Sequence, residues 1–147
     1  MFFHLLFITV TLILCAVAAM PTRAWLAMGE RLNASLLKRK QARLKAALAA
    51  QSRPFWPDES FLDRGVGLAV DHARKLIFLA MPDGAQMRAE ILPLSAIGSH
   101  KAQTRQENGF QENFVEITAP GGIRPLWRLP CGDAALADEV NGALARL

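Results

Sequence analysis

Five side chains in this sequence have the chemistry for catalysis or metal binding: Asp71, His72, Ser99, His100 and Cys131. Ser99 and His100 have the types of a nucleophile and its base, but they are adjacent in a flexible stretch, poor placement for a pair that must be held at fixed geometry. Asp71-His72 falls in a predicted hairpin turn, where an aspartate is expected for turn chemistry alone. A zinc site drawn from His72, His100 and Cys131 would lack the short paired spacings that mark such sites. Cys131 has no activating neighbour in sequence and reads as a small, partly buried residue. No glycine-rich loop stands between a strand and a helix, so nucleotide binding has no support and no cofactor is implied. The expectation is a non-enzymatic protein. The competing reading is a small hydrolase or ligand-binding enzyme built on these groups.

The elements that would position such residues separate by charge. Residues 1–20 contain no Asp, Glu, Lys or Arg, and only His4, Thr9 and Thr11 interrupt an apolar run. Twenty helical residues at ~1.5 Å each span ~30 Å, the thickness of a bilayer's hydrocarbon core, and no polar stripe marks a soluble surface helix. The run therefore predicts a transmembrane anchor. Ala16-Val17-Ala18 would suit a signal-peptide cleavage site, but the positively charged start of a signal peptide is missing, which favours a retained anchor over a periplasmic or secreted product. Cys15 lies inside this helix and Cys131 near the other end, so no disulfide is expected.

Residues 21–53 hold eight basic side chains against Glu30 alone, whereas residues 54–147 hold nine basic against twelve acidic ones. The basic character belongs to the juxtamembrane stretch, and a mildly acidic domain argues against nucleic-acid binding. Lysine and arginine are retained on the cytoplasmic side of a membrane. The expected placement is a single-pass inner-membrane protein with its N-terminus outside and its domain cytoplasmic, Trp25 sitting at the interface. Residues 21–53 read as helix, rich in alanine. Leu37, Leu44 and Leu48 form a stripe, but upstream leucines drift out of register and Lys40 occupies a would-be core position, short of a coiled coil. Homo-oligomerisation through this helix stays open. Lys38, Arg39, Lys40, Arg43 and Lys45 are candidates to contact anionic lipid, at ~1 kcal/mol for each charge near the surface. The simpler reading is that they fix topology and keep the helix soluble.

Pro54 and Pro57 end the helix and predict an extended linker over residues 54–64. From Gly65 the pattern turns to strands. Val66–Val70 and Leu76–Met81 flank a polar run of hairpin length, and Pro82-Asp83-Gly84 is a turn. Met87, Ala89 and Ile91 alternate with Gln86, Arg88 and Glu90, as on a strand covered on one side. Val115 and Ile117 alternate with Glu116 and Thr118. Ile123, Pro125, Trp127 and Leu129 are predicted to face one way, Arg124 and Arg128 the other. Gly98–Gly109 is polar and aperiodic and predicts a long mobile loop, in which Lys101 and Arg105 are candidates to meet a partner. A closing amphipathic helix carries Leu136, Val140, Ala143, Leu144 and Leu147 behind an Asp133 N-cap.

The expected class is α+β: an N-terminal membrane helix and helical linker, then an antiparallel meander or partly open barrel of about five or six strands. The hairpin Gly67–Asp71 into Lys75–Leu79, the segment Ile91–Ile97 and the late tryptophan strand before a C-terminal helix resemble a pleckstrin-homology-like domain over Phe61–Leu147. The order of anchor, linker and domain also resembles that of small bacterial membrane-anchored proteins carrying such a domain. The departure is in strand number, since a full domain of that kind has seven. The resemblance implies no shared activity. Apart from that resemblance, the expected role is a tethered module that binds a protein segment or a lipid headgroup through a sheet edge or the loop around Lys101 and Arg105.

Overall fold

The computed structural model describes residues 2–147, with side chains from residue 6 onward. The chain divides into two units after Leu36.

The first unit contains α1 (Phe2–Ala18) and the start of α2 (Thr22–Ala49). The helices break at residues 19–21, because Pro21 has no N–H to donate and its ring disfavours helical backbone in Met20. Pro21 instead opens α2, its carbonyl accepting from the Ala24 N–H at 2.8 Å. Seventeen residues of α1 reach only ~26 Å. Among the described residues no single helix is long and apolar enough to cross a membrane; α1 and α2 meet that standard only as a pair, bent by 95° at the break. The described large hydrophobic side chains of α1 are exposed, and none of its described side chains joins either hydrophobic core.

The second unit is α+β, with two antiparallel sheets and no closed barrel. Sheet one runs β1 (Glu59–Ser60), β2 (Leu68–Asp71), β3 (Leu76–Asp83) and β4 (Gln86–Pro93); sheet two runs β5 (Ser99–Glu107), β6 (Phe110–Thr118) and β7 (Leu126–Cys131). Helix α3 (Ala134–Leu144) packs on sheet two. Its N-cap is as expected, Asp133 accepting from the Leu136 N–H at 2.7 Å.

Strand β3 reads as an unbroken apolar run because both of its faces are covered. Ile77 and Leu79 join Val115, Ile117, Trp127, Leu129, Val140 and Leu144 in the core between the sheets and α3. Leu76, Phe78 and Ala80 face the opposite way, where Leu44, Ala47 and Leu48 of α2 cover them together with Phe55. The second half of the basic helix is thus part of the globular unit, which begins at Leu37 rather than at Gly65. Leu44 is 1% exposed, so Leu44→Ala is expected to cost ~2–5 kcal/mol through lost burial and the cavity left behind, read as a fall in the urea midpoint of the full chain.

Two expectations need correction. The described residues form seven strands rather than five or six, since the expected linker contains β1 and buries Phe61 and Leu62. Gly98–Gly109 is not a loop: it is β5, paired residue for residue with β6 from Ser99↔Thr118 to Glu107↔Phe110. Asn108 and Gly109 turn the hairpin with φ of 52° and 81°, the positive pair that a type I′ turn requires. Strand β5 showed no period because only Ala102 joins the core, leaving polar side chains on both faces.

Candidate functional site

The polar groups with catalytic chemistry do not converge. Ser99 and His100 are neighbours on β5, and successive strand residues point to opposite faces. Ser99 Oγ lies 2.8 Å from Thr118 Oγ1, while His100 Nδ1 bonds Asn141 Oδ1 at 2.8 Å. His72 Nδ1 is engaged elsewhere, 2.8 Å from Asp58 Oδ1, and that bond holds the Asp58 carboxyl below its usual range. Cys131 is buried, which pushes its thiol up. No group of three His, Cys, Asp or Glu able to hold a metal occurs among the described residues.

Asp71 has the turn role its position suggests, with one addition. Its Oδ1 accepts from the Arg74 N–H at 3.0 Å; Oδ2 accepts from the Trp56 N–H at 3.0 Å and from Arg74 Nη1 at 3.2 Å. Arg74 in turn lies over the Trp56 ring, 4.1 Å from its centroid. One buried carboxylate therefore ties the linker to the β2–β3 hairpin. The Trp56 N–H, and after it Arg74, holds this carboxyl below the usual carboxylate range. A depressed folded-state value stabilises the fold above the unfolded value of about 3.9 and loses that contribution as pH falls through the folded value. Asp71→Asn should lower the urea midpoint at pH 7 and flatten its dependence on pH below about 4.

The five candidate lipid-contact residues divide. Lys40 is half-buried, its Nζ donating to the Pro130 carbonyl at 3.4 Å. Arg43 donates to the Ala85 carbonyl at 2.7 Å, and Lys45 pairs with Asp63 at 2.6 Å. Lys38 and Arg39 are exposed on the same helix. Burial holds the Lys40 ammonium below its usual value, against a smaller opposing pull from Cys131. Folding thus disfavours the protonated form. Lys40→Met should match or exceed the parent in urea midpoint at pH 7, with the difference narrowing at alkaline pH as the parent sheds that proton.

What the domain does present is a cleft of about 490 Å³ lined by Asp83, Met87, Arg88, Ala89, Glu90, Ile123, Arg124 and Trp127. Strand β4 is an edge strand of sheet one, and the β6–β7 loop folds over it. The Glu90 carboxylate accepts from the Ile123 N–H at 3.0 and 3.2 Å. Trp127 Nε1 donates to the Arg124 carbonyl at 3.1 Å and fixes the other end of the loop. Gly122 permits the close approach, since a Cβ there would meet Glu90 Oε2 and Leu92 Cδ1 at 3.3 Å. Arg88 is paired with Asp83, while the Arg124 side chain has no partner among the described residues. Ile123 is 90% exposed, contrary to the inward face expected from alternation, because it lies in the loop ahead of β7.

A smaller cleft of about 340 Å³ gathers Met81, Pro82, Arg105, Glu112, Phe114, Arg128 and Pro130. Arg105 thus borders a concavity, as a strand residue paired with Glu107 at 2.9 Å, and Lys101 lines neither cleft. The lining of the larger cleft is evenly divided, with four charged side chains (Asp83, Arg88, Glu90 and Arg124) beside Met87, Ala89, Ile123 and Trp127, which suits an inserted amphipathic side chain or segment more than an apolar small ligand. Sequence reasoning missed it because its parts, Glu90 and Ile123, lie 33 residues apart and no local pattern joins them.

Fold and site together define an α+β protein with an exposed apolar N-terminal helix and a two-sheet domain bearing a cleft. The chain matches no family model, no curated protein and no solved structure.

Proposed function

We propose that this protein is a membrane-anchored, non-enzymatic interaction module, with α1 in the bilayer, its ~26 Å met by local thinning of the ~30 Å hydrocarbon core, and a pleckstrin-homology-like domain on the cytoplasmic side. The observation that carries the anchor is the exposed apolar surface of α1 from Leu6 onward: a helix apolar all round needs a nonpolar environment, and neither hydrophobic core includes its described side chains. Seven strands ordered four plus three and a closing helix support the domain reading. The β7 edge is a poor template for an added strand, since Pro130 lacks the N–H. The cleft between β4 and the β6–β7 loop is the better candidate, and a partner segment with an apolar and an acidic side chain would meet Ile123, Trp127 and Arg124. Tethering raises the local concentration of such a partner at the membrane, so weak binding suffices.

A photo-crosslinking residue at Ile123 in the full-length, membrane-bound chain should give a discrete adduct that Arg124→Glu removes. The same residue at Phe110, exposed on the β5–β6 hairpin outside the cleft, should not. Equal adducts at both positions would count against the cleft as the binding site. A second reading, release of the domain by cleavage behind Ala16-Val17-Ala18, is favoured by the end of α1 at Ala18.

A further inference from the structure

The two halves of α2 have different fates. From Leu37 on, the helix buries Leu44 and packs Ala47 and Leu48 on sheet one. The first half adds nothing to either core. Trp25, Leu26, Met28, Leu32 and Leu36 are exposed there; Leu26 stands apart, while Trp25, Met28, Leu32 and Leu36 are spaced three, four and four residues apart. At ~100° per residue they share an arc of ~80°, a narrow apolar stripe. Arg31 and, one heptad on, Lys38 flank this stripe on one side. Arg23 and Arg39 add further positive charge, with Glu30 the only acid.

This charge pattern argues for one occupant. A parallel second copy would set Arg31 near Arg31 and Lys38 near Lys38, with no acidic residues at the flanks to offset them. An anionic bilayer surface complements both features: the stripe enters the acyl boundary, and the flanking cations extend to phosphates with their methylene stems buried. Tryptophan favours that interfacial depth. The break at residues 19–21 with its 95° bend lets an inserted α1 continue into a helix along the surface. We infer that Thr22–Leu36 lies flat on an anionic bilayer, with Trp25, Met28, Leu32 and Leu36 inserted, and is neither a free stalk nor a dimerisation helix. This rests on α1 being in the membrane, and the experiment separates the two.

Single spin labels would be placed at each position from 22 to 36, and at Leu12, in the full chain with Cys15 and Cys131 replaced by serine. Each would be reconstituted in vesicles of phosphatidylcholine with phosphatidylglycerol. Oxygen accessibility should follow a helical period with maxima at Trp25, Met28, Leu32 and Leu36 and a minimum at Ala34. Accessibility to a water-soluble nickel reagent should run in antiphase. In pure phosphatidylcholine the contrast between Leu32 and Ala34 should shrink severalfold. A flat, water-exposed profile over 22–36 with Leu12 still in lipid overturns this inference and leaves the anchor standing. Spin–spin broadening centred on Leu32 overturns it in favour of a second copy. A water-exposed Leu12 removes the anchor and this inference together.

Discussion

Gly67→Ala is expected to abolish the folded domain. A Cβ on Gly67 would stand 1.8 Å from the carbonyl oxygen of Ala80 and 2.6 Å from its carbon. Both atoms are backbone, in the middle of β3, so no rotamer change relieves the clash. The approach is close because Gly67 and Ala80 are bonded neighbours, the Ala80 N–H donating to the Gly67 carbonyl at 2.8 Å. Separating the chains breaks that bond and shifts Val66 and Leu68, both fully buried in the main core. Overpacking typically costs ~1–3 kcal/mol and occasionally more; a clash with two backbone atoms that cannot move apart belongs at or beyond the upper end, a large share of a typical domain's ~5–15 kcal/mol. The check is the yield and urea midpoint of the full-length variant beside Gly132→Ala, whose added Cβ meets nothing within 4 Å and which should stay within ~0.5 kcal/mol of the parent.

Trp127→Ala comes next, at ~3–5 kcal/mol. Trp127 is among the largest fully buried side chains and belongs to the core between the two sheets. It also lines the larger cleft and ties down the β6–β7 loop through Nε1. Truncation therefore leaves a cavity and frees the loop together. Trp127→Phe separates the two effects: it fills most of the volume but drops the bond to the Arg124 carbonyl, and should cost roughly 1–2 kcal/mol. If the bond positions the loop, Trp127→Phe should also weaken crosslinking from Ile123 while the domain remains folded. A Trp127→Phe variant with unchanged crosslinking would show that packing alone holds the cleft.

The parts of this fold that could be read from sequence are those where burial imposes a period. Met87, Ala89 and Ile91 do share a face over the α2 side of sheet one, and Val115 and Ile117 do point into the main core. Asp133 announced α3 by its capping chemistry. Strand β5 hid because its hydrogen bonds, not its side chains, make it a strand. Its one local signal is Asn108-Gly109, the dipeptide most suited to a two-residue hairpin turn, which stands without flanking alternation to support it. Lys40 looked like an interruption of a leucine stripe. It is one, yet the helix still packs, because the aliphatic stem lies beside Gly65 and the ammonium finds the Pro130 carbonyl.

The site was far less legible. A cleft assembled from Met87–Glu90 and Ile123–Trp127 depends on a loop from one sheet crossing the edge of the other, and no local pattern encodes that meeting. The basic residues singled out along α2 illustrate the converse: their charge was plain, but three of the five are used to hold the helix on the domain. Only the tertiary contacts distinguish those from Lys38 and Arg39.

The central claim is that α1 stays in the bilayer and keeps the domain on the cytoplasmic side. A paired topology reporter behind Leu147 of the full-length chain tests it most directly, with a fluorescent protein that matures only in the cytoplasm and a phosphatase active only outside it. Fluorescent, phosphatase-negative cells whose fusion stays with the membranes after alkaline washing are the predicted result. An active phosphatase fusion, or one released into the soluble fraction, would contradict the account.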